Sequence, residues 1–144
     1  MILHTASEGI TLVKRLENDS AKFYEDLAHS NARDAETFLS FARDNRKNIA
    51  QIERTYYGVI TDAIEGSYAF NIDPDDYTFK ITISDGASYT DILGQAVEIE
   101  EKIIKFYSDA AEQSESLMAD VPRVFTMVAK KRNDRGTKLR ALKV

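Results

Sequence analysis

Cysteine and tryptophan are absent from this chain of 144 residues, and histidine occurs only as His4 and His29. Without thiols there can be no disulfide, no thiolate metal site and no cysteine nucleophile. Six scattered glycines and two histidines assemble neither a Gly-rich phosphate loop nor a Ser-His-Asp grouping, so hydrolase and nucleotide-binding classes find no motif to rest on. Long apolar runs are missing too, since no stretch reaches the roughly 18 residues that a membrane-spanning helix needs. The opening MILHTASEGITLVKRLEND becomes charged and amphipathic too soon for a signal peptide. The expectation is a soluble, cytoplasmic protein without a membrane partner.

What the chain does have is 43% hydrophobic and 30% charged side chains, enough at this length for one compact domain, 1–144, with its own core. Its formal charge of -5 conceals an uneven distribution. Between Gly58 and Asp91 the acids Asp62, Glu65, Asp73, Asp75, Asp76, Asp85 and Asp91 face one base, Lys80, whereas Arg123 to Lys143 carries eight bases against Asp134. A basic helix in an acidic protein balances its own neighbours more economically than it recruits a polyanion, so no nucleic-acid partner is expected.

Apolar residues recur at three- and four-residue steps in four segments, the spacing of one helix face. The first runs from about Thr5 to Ser30 through Ile10, Val13, Leu16, Tyr24 and Leu27. After the turn-like Ser30-Asn31, the second runs through Phe38, Phe41, Ile49, Ile52 and Tyr56 until Gly58 offers a stop. The third starts near Ser88 or Thr90, both acceptable N-caps, and carries Leu93, Ala96, Ile103, Tyr107 and Ala111. The fourth begins at Asp120, with Pro122 in its first turn, and continues through Phe125, Val128, Leu139 and Leu142. Short links make antiparallel hairpins of 5–57 and 88–143, which predicts an all-α antiparallel four-helix bundle.

The crossover, 58–87, reads differently. Tyr77, Phe79, Ile81 and Ile83 alternate with Thr78, Lys80, Thr82 and Ser84, the period-two pattern of a half-buried strand. Tyr68, Phe70 and Ile72 alternate likewise, and Asp73-Pro74-Asp75-Asp76 between them has turn chemistry. These runs predict a small β-hairpin laid on the bundle. It either straps its own bundle or offers an edge for a homodimer contact.

Aligning Leu16–Ala28 with Ile99–Ala111 matches Glu17 with Glu100, Lys22 with Lys105, Phe23 with Phe106, Tyr24 with Tyr107 and Asp26 with Asp109. The chain thus reads as a duplicated helical hairpin. In each copy a glutamate stands seven residues before a tyrosine on a stripe that also holds core residues, and a carboxylate on a core stripe needs a partner. These residues, and the four-helix pattern around them, give the chain a resemblance to the rubrerythrin branch of the ferritin-like superfamily. The resemblance implies a di-iron carboxylate site in which helices one and three each present such a Glu and helices two and four each present Glu-x-x-His.

The second half of that motif departs from the family pattern. The Glu-x-x-His positions hold Asn45 and Asn48 in helix two, and Arg132 and Arg135 in helix four when Ala42 is aligned with Ala129. Guanidinium repels a cation rather than coordinating it, while its fork suits carboxylates. The six former metal-site positions, Glu17, Asn45, Asn48, Glu100, Arg132 and Arg135, are therefore expected to form an Arg/Glu/Asn polar core with no metal and no catalytic residue, flanked by the core tyrosines Tyr24 and Tyr107. On this reading the protein is a non-catalytic structural or interaction protein, needs no cofactor and self-associates, as a homodimer, with room for a further protein partner at the basic helix or the hairpin. The competing reading is an oxidoreductase in which Glu17 and Glu100, helped by amide oxygens of Asn45 and Asn48, hold an iron or manganese ion for peroxide or iron-related redox chemistry.

Overall fold

The structure, a computed structural model, describes residues 2–30, 33–59, 68–114 and 120–142. Four long helices dominate: α1 (Ala6–Ser30), α2 (Ala35–Val59), α3 (Tyr89–Gln113) and α4 (Asp120–Leu142). Among the described residues they are joined by two short strands, β1 (Leu3–Thr5) and β2 (Tyr68–Ile72), and a 3-10 turn, Pro74–Tyr77. Each helix lies within a residue or two of its sequence expectation; α2 carries on through Gly58 to Val59 rather than stopping before it. Asn31, Asp62, Glu65 and Lys143 lie outside the described residues. Among the described residues no helix is long and apolar enough to cross a membrane.

Local chemistry sets the helix starts. Before α1, the Thr5 hydroxyl accepts from the Glu8 N–H at 3.1 Å while the Glu8 carboxylate accepts from the Thr5 N–H at 3.0 Å, a reciprocal capping box that satisfies two otherwise orphaned donors. The backbone N–H groups of Thr5 and His4 both donate to the charged Glu8 carboxylate and lower its pKa. For α3 the choice between Ser88 and Thr90 falls to Ser88, whose side chain accepts from the Asp91 N–H. Pro122 sits in the first turn of α4, where no helical N–H is needed.

Residue pairs give the directions. Lys14 meets Glu53 and Glu25 meets Arg46, so α1 and α2 are antiparallel. Glu100 meets Arg132 and Tyr107 meets Phe125, so α3 and α4 are antiparallel. Asn45 meets Arg135 and Gln51 meets Met127, which makes α2 and α4 antiparallel too. It follows that α2 and α3, consecutive in the chain, run the same way. Their connection must therefore climb the length of the bundle, which is why it is long.

The predicted hairpin does not form. Strand β2 pairs antiparallel with β1, Leu3 opposite Ile72 and Thr5 opposite Tyr68, and not with residues 77–84. The reason lies at Asp73, whose side chain accepts from the Asp75 N–H and caps the 3-10 turn with Pro74 in its first positions. That turn redirects the chain onto α3 instead of folding it back. Residues 78–84 then run extended, with Phe79, Ile81 and Ile83 half-buried and the alternate residues exposed. The Gln95 side chain donates to the carbonyls of Lys80 and Thr82 at 2.8 and 3.1 Å. The period-two pattern thus marks a half-buried segment lying along α3 rather than a strand paired with β2.

Each half also repeats its aromatic packing. Phe23 packs edge-on against Tyr24 at 5.3 Å and Phe106 against Tyr107 at 5.3 Å. Tyr24 stacks near Phe38 at 6.4 Å, and Tyr107 near Phe125 at 6.1 Å. All six rings are buried within one continuous core.

Candidate functional site: a buried guanidinium between two carboxylates

All six sequence-selected positions meet at the centre of the bundle, and each is at most 5% exposed. Glu17 comes from α1, Asn45 and Asn48 from α2, Glu100 from α3, and Arg132 and Arg135 from α4. Their helical spacing turns them inward: Asn45 and Asn48, like Arg132 and Arg135, are three apart and share a helix face.

Arg132 is the hub. Its Nη1 donates to both Glu100 oxygens at 2.8 Å, and its Nη2 donates to a Glu17 oxygen and to the Ser20 hydroxyl, the latter at 3.0 Å. One guanidinium thus bridges the two repeat-related carboxylates. Arg135 plays another part. Its Nη1 donates to Asn45 Oδ1 at 2.7 Å and lies 3.6 Å from Glu100, and its Nη2 donates to the Phe41 carbonyl at 3.1 Å. The same guanidinium lies over the rings of Phe41 and Tyr24, which favours a desolvated cation.

The amides fill the remaining valences. Asn48 donates to the second Glu17 oxygen at 2.9 Å, and Asn45 donates to the Glu17 carbonyl at 2.9 Å and to Ser20. Tyr24 donates across the bundle to Glu100 at 2.7 Å. Its repeat partner Tyr107 has a buried hydroxyl without a hydrogen-bond partner, as does Nε of Arg132. His4 lies beside β2, 3.4 Å from the Phe70 carbonyl, and His29 is exposed at the end of α1; neither reaches the cluster.

Two carboxylates and two guanidiniums make the cluster formally neutral. Burial nevertheless raises the Glu100 pKa, against the opposing pull of Arg135 and the Tyr24 hydroxyl, and lowers that of Arg132, with Arg135 adding to the effect. Arginine keeps its proton regardless. Burial also holds both tyrosines protonated far above their ordinary 10.0, with Glu100 reinforcing it.

Ser20 escaped the sequence reading. It is fully buried, accepts from Arg132 and Asn45, and donates to the Glu17 carbonyl at 3.2 Å. A serine within a helix is usually unremarkable, but Ser20 stands three residues after Glu17 on the same stripe, where the repeat has Ile103. That mismatch was the available signal.

The donor set does not suit a metal ion. Both carboxylates already accept from a guanidinium, and the Asn45 oxygen accepts from another. Among the described residues no group of three or more His, Cys, Asp or Glu is placed to hold a cation. No family model, no curated protein and no solved structure matches this chain.

Proposed function

We propose that this chain is a ferritin-like, rubrerythrin-related bundle in which the Arg132 guanidinium takes the place of a di-iron centre, leaving a non-catalytic structural or interaction protein. One observation carries the reading: Arg132, fully buried, bridges Glu17 and Glu100 from opposite halves of an internal repeat. The crossover between two helices that run the same way, and the matching contacts of the two halves, support it further. The proposed protein works in the cytoplasm as a homodimer and requires no cofactor.

Protein purified without added metal should contain no stoichiometric iron or manganese; a bound transition metal would return the oxidoreductase reading. Melting experiments test the core itself. Arg132→Ala should cost about 3–5 kcal/mol by leaving buried carboxylates uncompensated. Arg132→Met combined with Glu17→Leu should cost far less, because Glu100 keeps Arg135 and Tyr24. An Arg132→Ala protein as stable as the parent would end the proposal. For the homodimer, light scattering that gives a monomer mass at every concentration would remove that part alone.

A further inference from the structure

The helices α2 and α4 pack less extensively against each other than either does against its hairpin partner. A cleft of about 380 Å³ opens between them, directly over the polar cluster. Its floor is Phe41, Asn48 and Arg135, all buried, and its rim carries Lys47, Lys131 and Lys138 together with Asp44 and Asp134. Three lysines face two carboxylates, a local excess of one positive charge, above Arg135, whose own charge is balanced within the cluster by Glu100 at 3.6 Å.

We infer that this cleft binds a small oxyanion, with a phosphate group as its simplest form. Arg135 is the anchor. Its guanidinium is fixed from behind by Asn45 and the Phe41 carbonyl and is clamped against two rings. Little conformational freedom is left for a ligand to remove, and a planar fork held in advance is well suited to oxyanions. The rim lysines supply mobile point charges: Lys131 spends one donor on Gln51 at 3.2 Å, which leaves two of its three. Helical spacing presents these groups together, since 44, 47 and 48 on α2 and 131, 134, 135 and 138 on α4 recur at three- and four-residue steps. The volume lies near the lower end of the roughly 300–1,000 Å³ of small-molecule sites. It has room for a phosphate and a short organic body, and it is too small for a nucleotide polymer.

The deciding experiment is calorimetric titration of the full chain with inorganic phosphate and, separately, with glycerol 3-phosphate, both at an ionic strength held constant with chloride. Saturable binding is expected for both, and the tighter of the two tells whether free phosphate or a phosphate ester is the natural occupant. Replacing Lys47→Ala and Lys138→Ala together, at exposed positions the fold does not need, should weaken binding by about tenfold. Asp44→Asn with Asp134→Asn should strengthen it. Arg135 is left intact in these variants because the core depends on it, and unchanged circular dichroism would verify their folding. Absence of saturable binding by either probe overturns the inference, and so does binding that the lysine substitutions leave unchanged.

Discussion

At the scale of single residues, the two tyrosines related by the internal repeat have unequal surroundings. Tyr24 gives its proton to Glu100, whereas the Tyr107 hydroxyl is buried without a partner. Removing the first hydroxyl leaves a buried carboxylate one donor short, so Tyr24→Phe should cost about 1–3 kcal/mol. Tyr107→Phe removes a polar atom that gains nothing from burial, and should be neutral or stabilising. Chemical denaturation of the two variants measures the difference; equal losses would show that the repeat's halves are energetically equivalent after all. Helical period placed both tyrosines and both glutamates on inward stripes, while Asn45, Asn48, Arg132 and Arg135 were singled out only through the family resemblance. The sequence could not say that Arg132 would take both glutamates while Arg135 turned to Asn45 and Phe41. That division depends on how far each helix is rotated about its axis, which no spacing rule records. Ser20 was hidden for a related reason: its role exists only once α2 and α4 bring Asn45 and Arg132 to it.

Among the elements, helices were legible and strand partners were not. Twenty-odd residues of periodic pattern, closed by caps such as Ser88, specify a helix locally. Strand β1 has only three residues, too few for alternation to be visible, and its partner lies more than sixty positions away. Asp73-Pro74 looked like the corner of a hairpin but acts as the cap of a 3-10 turn, since the same short acceptor chemistry serves both. The sheet's packing on α1 leads to a specific expectation. A Cβ added to Gly9 would meet Cε2 of Phe70 at 2.6 Å, and Phe70 is itself buried and held 6.4 Å from Phe125. Gly9→Ala should therefore destabilise the protein by about 1–3 kcal/mol through overpacking. At Gly136 the nearest atom is Nη1 of Arg140 at 3.2 Å, the end of a flexible, exposed side chain. Gly136→Ala should stabilise by about 0.5–1 kcal/mol, the usual gain for alanine within a helix. A thermal-melt comparison in which Gly9→Ala also raises stability would mean that β2 does not press on α1 as described.

The molecule as a whole carries its tyrosines in a way that governs its response to alkali. Besides Tyr24 and Tyr107, burial and the Asp109 carboxylate raise the pKa of Tyr77, and burial with the Asp34 hydrogen bond pushes Tyr89 up to about 12. The folded state keeps these phenolic protons at a pH where the unfolded chain, with pKa near 10, has released them. Stability is therefore fully present below about pH 10 and is lost as the pH climbs from there through the folded-state values. Each fully buried tyrosine contributes a slope of about 1.4 kcal/mol per pH unit. Unfolding should consequently coincide with the ionisation of these four tyrosines between about pH 10 and 12; a folded protein whose buried tyrosines titrate near pH 10 would contradict this. The directions of the four helices fix how far residue 3 lies from residue 142. Strand β1 and Phe70 gather with the starts of α1 and α4 and with Gln113 at the end of α3, while Tyr89 joins Asp34 and Phe38 at the opposite pole. Because α4 runs away from the first pole, residues 3 and 142 sit a helix length apart, about 35 Å at 1.5 Å per residue. Spanning that distance would take at least about ten fully extended residues. Two probes attached at residues 3 and 142 would therefore report a separation of one helix length.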